Sequence, residues 1–92
     1  MNATVSRYLS TGSVLYYVMK PVSVDHVKFG KRIRELRGDL GMTQEMLAAK
    51  VGLDRSYMGF LERGERNPSL EVIIKIAKAL NIKPEELLQD IK

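Results

Sequence analysis

Arg55, Ser56 and Tyr57 stand side by side in the stretch VGLDRSYMGFLERGERNPS, residues 51 to 69. Buried helices rarely carry three such residues in a row. Their chemistry is that of recognition. A planar guanidinium can donate two parallel hydrogen bonds to guanine O6 and N7, worth about 1–3 kcal/mol of discrimination between bases. A serine hydroxyl donates or accepts. A tyrosine can meet a phosphate or pack beside the backbone. Bond-making chemistry lacks its residues. The chain has no cysteine, which removes disulfides and thiolate metal sites, and His26 is its one histidine, too few for a zinc site or triad built on histidine. No phosphate-binding glycine loop, nucleophile–base pair or metal cluster is legible, so neither enzymatic activity nor a cofactor or metal is expected.

The elements that must position these residues are helices. From residue 23 onward the apolar spacing is helical throughout. Phe29, Ile33, Leu36 and Leu40 follow one face of a first helix, with Ser23 or Asp25 to cap its start and Gly38 and Gly41 to favour its end. Thr43 caps a second helix at about 44–51, where Leu47, Ala48 and Val51 point inward, and Met42 and Leu47 sit at the spacing of a hydrophobic staple. Asp54 caps a third at about 55–63, with Met58 and Leu61 inward, and Gly64 stops it. Asn67-Pro68 signals a turn, and Ser69 caps a fourth helix at about 70–80 that ends at Asn81. Pro84, followed by Glu85 and Glu86, opens a short fifth helix with acids at its positive end. The second and third helices are joined by a few residues around Gly52, the pattern of a helix-turn-helix. The third can then enter a major groove with its first residues at the base edges. The helix starts at Thr43–Gln44 and at Ser69 offer free N–H groups to phosphates, and Arg66 and Asn67 lie next to the second of these.

The stretch MTQEMLAAKVGLDRSYMGFLERGERNPSLEVIIKIAKALNI, with IRELRGDLGMTQ upstream, strongly resembles the XRE/Cro/cI-like helix-turn-helix family of phage repressors and bacterial regulators. The resemblance covers roughly residues 27–90. Within that family the segment LDRSYMGFLERGERN looks most like the controller proteins of restriction–modification systems. The resemblance implies an all-α, five-helix, lambda-repressor-like DNA-binding domain over residues 23–92. It implies base reading by Arg55, Ser56 and Tyr57. Backbone contact is implied for Gln44, in addition to the phosphate sites at Thr43, Arg66, Asn67 and Ser69. It pairs Glu62 of the ERG stretch with Arg37 of the first helix as a structural ion pair. Gly59 falls where the family often carries a polar reader, so base contact is not expected there. Phe60 is a second departure: its ring either covers the helix edge, the preferred reading, or touches a thymine methyl. His26 is read as solvent-facing.

Composition sets the remaining bounds. The chain has 92 residues, a net charge of +4 and a pI near 9.5, which permits a nucleic-acid partner. No apolar run approaches the roughly 20 residues needed to span a bilayer, so a cytoplasmic setting is expected. The fourth helix is apolar around most of its circumference, with Glu71, Lys75 and Lys78 as a narrow polar stripe. The surplus suggests a two-fold interface through Val72, Ile76, Ala79, Ile82 and Leu88. The alternative is a helix enclosed by its neighbours. A homodimer would read a pseudo-palindromic operator on double-stranded DNA and block or recruit RNA polymerase. Residues 1–22 form a separate N-terminal extension, polar at first and then VLYYVM. They read as a mobile tail or a short strand, or Met19 is the biological start. The rival function is an antitoxin-type DNA-binding protein whose extension grips a protein partner.

Overall fold

Four of the helix starts carry a side-chain cap. In the computed structural model, which describes residues 20–91, five helices follow one another. They are α1 (Val24–Asp39), α2 (Gln44–Val51), α3 (Arg55–Glu62), α4 (Leu70–Ala79) and α5 (Pro84–Leu87). The Ser23, Thr43, Asp54 and Ser69 side chains each accept from the backbone N–H three residues on. Such a cap contributes about 1 kcal/mol by satisfying an otherwise unpaired donor. At Lys83 the arrangement is inverted: the Glu86 carboxylate accepts from the Lys83 N–H at 2.8 Å, and Pro84 takes the first helical position.

The ends of the first four helices share one device. Gly41, Gly52, Gly64 and Asn81 have positive φ. Directly after each, the next residue's N–H returns to a carbonyl five positions back: Met42 to Arg37, Leu53 to Ala48, Glu65 to Phe60, and Ile82 to Ala77. This closure satisfies the last carbonyls and turns the chain sharply. The junction between α2 and α3 is therefore short and rigid.

The core lies where α1, α2, α3 and α4 meet, closed at one end by α5. Phe29, Ile33, Leu47, Ala48, Val51, Met58, Leu61, Ile76, Ala77, Leu80 and Leu87 are buried there. Close approach of α1 to α3 depends on Gly30, since a Cβ added there would lie 2.3 Å from the Glu62 carbonyl oxygen.

Two expectations are corrected. Leu40 does not join Phe29 and Ile33 on the inner face but is 53% exposed. Burial falls along this face from Ile33 through the partly covered Leu36 to Leu40, the cap residue, which keeps the helical bond to the Leu36 carbonyl at 3.2 Å but lies past the core. Ile76, assigned to an intermolecular interface, is 0% exposed and belongs to the protomer's own core. Val72, Ile73, Ile74 and Ala79 on the same helix are only partly covered, and Leu70 is exposed. No helix among the described residues is long and apolar enough to cross a membrane. The strand or tail expected over residues 1–22 lies outside the described residues except for its last three.

Candidate nucleic-acid interface

The interface is built outward from a buried carboxylate. Glu62, the last residue of α3, has a side chain with no exposure. Arg37 of α1 meets it with two prongs, Nε donating to Oε2 at 2.7 Å and Nη2 to Oε1 at 2.9 Å. The third nitrogen of the guanidinium, Nη1, donates to the Met42 carbonyl at 2.9 Å. Arg34 stands 3.7 Å away on the solvent side. An isolated buried carboxylate would be several kcal/mol unfavourable, and this geometry offsets that by hydrogen bonding both oxygens. The hydrogen bonds to Glu62 raise the Arg37 pKa, burial opposes, and the carboxylate's charge raises it further.

Gln44, the first residue of α2, extends this cluster to the surface. Its Nε2 donates to Glu62 Oε1 at 3.0 Å, which turns its own Oε1 outward. Arg55, the first residue of α3, lies there, with Nη1 at 3.4 Å from that oxygen. The helix start at Arg55 is thus exposed but tethered. Ser56 is exposed beside it, whereas Tyr57 is half-buried and packs against the core edge, the least free of the three. Gly59 is buried beneath this row. A Cβ there would come within 3.1 Å of Arg63 Nη1 and 3.6 Å of Gln44 Oε1, so its small size leaves room for both side chains.

The two other helix starts flank α3. Thr43 Oγ1 accepts from the Met46 N–H at 3.1 Å and Ser69 Oγ from the Val72 N–H at 3.2 Å. Each hydroxyl therefore occupies one donor of its helix, and the first two N–H groups stay directed outward. Between α3 and α4, Arg66 lies over the Phe60 ring at 4.0 Å from its centroid, and Arg63 over it at 5.1 Å. Arg66 Nη1 also donates to the Glu65 carbonyl at 2.8 Å, and Arg63 Nε to the Glu65 carboxylate at 3.0 Å. Phe60 thus supports two cations at the rim. The spacing of an aromatic with arginines three and six residues on is the sequence signal for this platform.

Sequence reasoning missed a second feature. His26 is half-buried rather than solvent-facing, and its ring lies between Ser23 and Asn67. Asn67 therefore sits beside the start of α1. No cluster of potential metal ligands occurs among the described residues.

The helix-turn-helix family HTH_3 matches residues 33–87, from within α1 to the end of α5. Control protein C.BamHI of Bacillus amyloliquefaciens is 46% identical over 61 residues, spanning 65% of this chain and 75% of that protein. An uncharacterized HTH-type transcriptional regulator of Archaeoglobus fulgidus is 54% identical over 56 residues, 61% of this chain and 80% of that one. Among solved structures, the restriction-modification controller protein C.AhdI from Aeromonas hydrophila superposes with a TM-score of 0.69 at 58% identity, over 71% of this chain and 98% of that one.

Proposed function

The chain belongs to the helix-turn-helix family, and from that premise we propose that it is a sequence-specific DNA-binding transcription regulator of the restriction–modification controller type, acting as a homodimer and not as an enzyme. Residues 23–92 are its DNA-binding domain, residues 1–22 an extension, and its setting is the cytoplasm. The α3 helix enters the major groove. Arg55 reads a guanine, with Ser56 and Tyr57 contacting neighbouring positions. Gln44, Thr43, Arg66, Asn67 and Ser69 meet the sugar–phosphate backbone and set the register in which the bases are read.

One observation carries the reading: Arg55 is exposed at the first turn of a capped helix while Gln44 ties it to a buried ion pair. A cation at a helix start opposes the helix dipole. Its tether there makes sense as the positioning of a donor fork for a partner.

Homodimerisation is supported by the partly exposed apolar surface of Val72, Ala79, Ile82 and Leu88. Two α3 helices about 34 Å apart would address successive turns on one face of the duplex. Bound near a promoter, the dimer would block RNA polymerase or recruit it according to operator position.

Fluorescence anisotropy tests the proposal. The full chain is titrated onto the DNA upstream of its own gene and onto a scrambled duplex of equal length, over a salt series. A preference of about 10³ or more is expected. Weak, equal binding that vanishes with salt would leave only contact with the backbone.

A further inference from the structure

His26 stands at the first turn of α1, 41 residues from Asn67 in sequence, yet the two side chains meet. The ring nitrogen Nε2 is 3.1 Å from Asn67 Oδ1. On its other side, Nδ1 is 2.6 Å from Ser23 Oγ. The same Ser23 oxygen accepts the His26 backbone N–H at 3.2 Å. With the Asn67 amide oxygen facing Nε2, the bond requires the proton to sit on Nε2, because an amide oxygen can only accept. In the neutral ring Nδ1 is then an acceptor and takes the Ser23 hydroxyl hydrogen.

The consequence lies at the far end. With Oδ1 committed to His26, Asn67 presents its NH₂ group, which has no partner among the described residues. Phosphate oxygens accept hydrogen bonds and donate none. An asparagine turned the other way would offer a phosphate its oxygen and repel it. The loop is also fixed upstream of Asn67. The Val22 N–H donates to the Gly64 carbonyl at 2.7 Å. Gly64, with φ +76°, lies so close to α1 that a Cβ would come within 2.7 Å of the Val27 nitrogen. The segment from Gly64 to Asn67 is therefore held at both ends, against Val22 and Val27 at Gly64 and by His26 at Asn67.

We infer that His26 is a positioning residue for DNA binding: it holds the Asn67 carbonyl oxygen so that the amide NH₂ faces a DNA phosphate, an inference that rests on the DNA-binding function proposed above.

The test compares the full chain with His26→Ala, Asn67→Ala, the double variant and His26→Gln, by anisotropy on the upstream duplex and its scrambled counterpart. His26→Ala should weaken binding by about threefold to tenfold on both duplexes, less than the loss of a whole hydrogen bond to a charged acceptor, because the untethered Asn67 still turns its NH₂ outward part of the time. The preference between duplexes should stay unchanged, because phosphates are common to both. In the Asn67→Ala background, His26→Ala should have no further effect. His26→Gln, which keeps an N–H donor, should recover part of the loss. The ring ¹⁵N spectrum of the wild type should show the proton on Nε2 at neutral pH. Wild-type affinity in His26→Ala, an undiminished loss in the Asn67→Ala background, or a proton on Nδ1 alone would each overturn the inference. If the wild type binds both duplexes alike, sequence readout fails while the His26 effect is still read on the shared phosphates. A wild type that binds no DNA overturns both.

Discussion

Arg37 and Glu62 face one another across the crossing of α1 and α3 as a two-pronged pair, Nε to Oε2 at 2.7 Å and Nη2 to Oε1 at 2.9 Å. The pair joins the scaffold to the reading helix, because Glu62 also accepts from Gln44 and Gln44 touches Arg55. Removing Arg37 leaves a fully buried carboxylate with only Gln44 and the solvent-exposed Arg34, 3.7 Å away, as partners. Arg37→Ala should therefore destabilise the fold by about 3–5 kcal/mol. Arg37→Met combined with Glu62→Met should be much less damaging, since no unpaired charge remains. Urea unfolding of the three proteins, followed by circular dichroism, measures the difference.

Among the described residues Arg55 makes one side-chain hydrogen bond, at a long 3.4 Å, and is exposed. Its removal should leave stability almost untouched. Binding to the preferred sequence should weaken by about 1–3 kcal/mol, and base preference should relax at one position per half-site. Gln44→Ala should instead weaken preferred and scrambled DNA alike through the lost backbone contact, with a smaller added loss on the preferred sequence because Arg55 loses its tether. Titration of duplexes with single base-pair changes separates the two. Unchanged base preference in Arg55→Ala would remove Arg55 from base reading.

Two glycines of α1 should respond oppositely to alanine. At Gly30 the new methyl would sit 2.3 Å from the Glu62 carbonyl oxygen, a backbone atom that cannot swing aside. The helices must separate, at a loss of roughly 1–3 kcal/mol or more. At Gly38 nothing lies within 4 Å, and the backbone is helical. Gly38→Ala should stabilise by about 0.5–1 kcal/mol through lower unfolded-state entropy. Thermal unfolding of both variants checks the pair of signs.

The boundaries of the helices were legible because they are local. Thr43, Asp54 and Ser69 cap and Gly52, Gly64 and Asn81 stop within a few residues of the groups they satisfy. Leu40 misled because periodicity does not register where along a helix the covering neighbours stop, and the core ends at Leu36. Ile76 misled because a helix apolar around most of its circumference does not announce which side its neighbours occupy. His26 and Gly30 owe their environments to Asn67 and Glu62, which are distant in sequence. Nothing adjacent to either residue signals such a partner. The tether from Glu62 through Gln44 to Arg55 likewise needs three helices in place before its atoms meet.

A charge on the proposed interface should separate assembly from folding. Ala79 lies in the last turn of α4 and is only partly covered. Ala79→Lys places a cation where the helix dipole favours one, so the protomer should remain folded. The wild type should sediment as a dimer and the variant as a monomer. DNA affinity should fall by about 10²-fold or more as the second half-site contact becomes a separate event. A wild type that sediments as a monomer at micromolar concentration and on DNA would remove the two-fold model.

The most direct measurement is selection of bound duplexes from a pool with a randomised central segment, using the full chain at near-physiological salt, followed by sequencing. The expected result is enrichment of a two-fold pseudo-palindrome with half-site centres about 10 base pairs apart. Each half should carry a guanine that loses its enrichment when Arg55→Ala is selected in parallel. A pool that emerges with no enriched sequence would contradict sequence-specific recognition by α3.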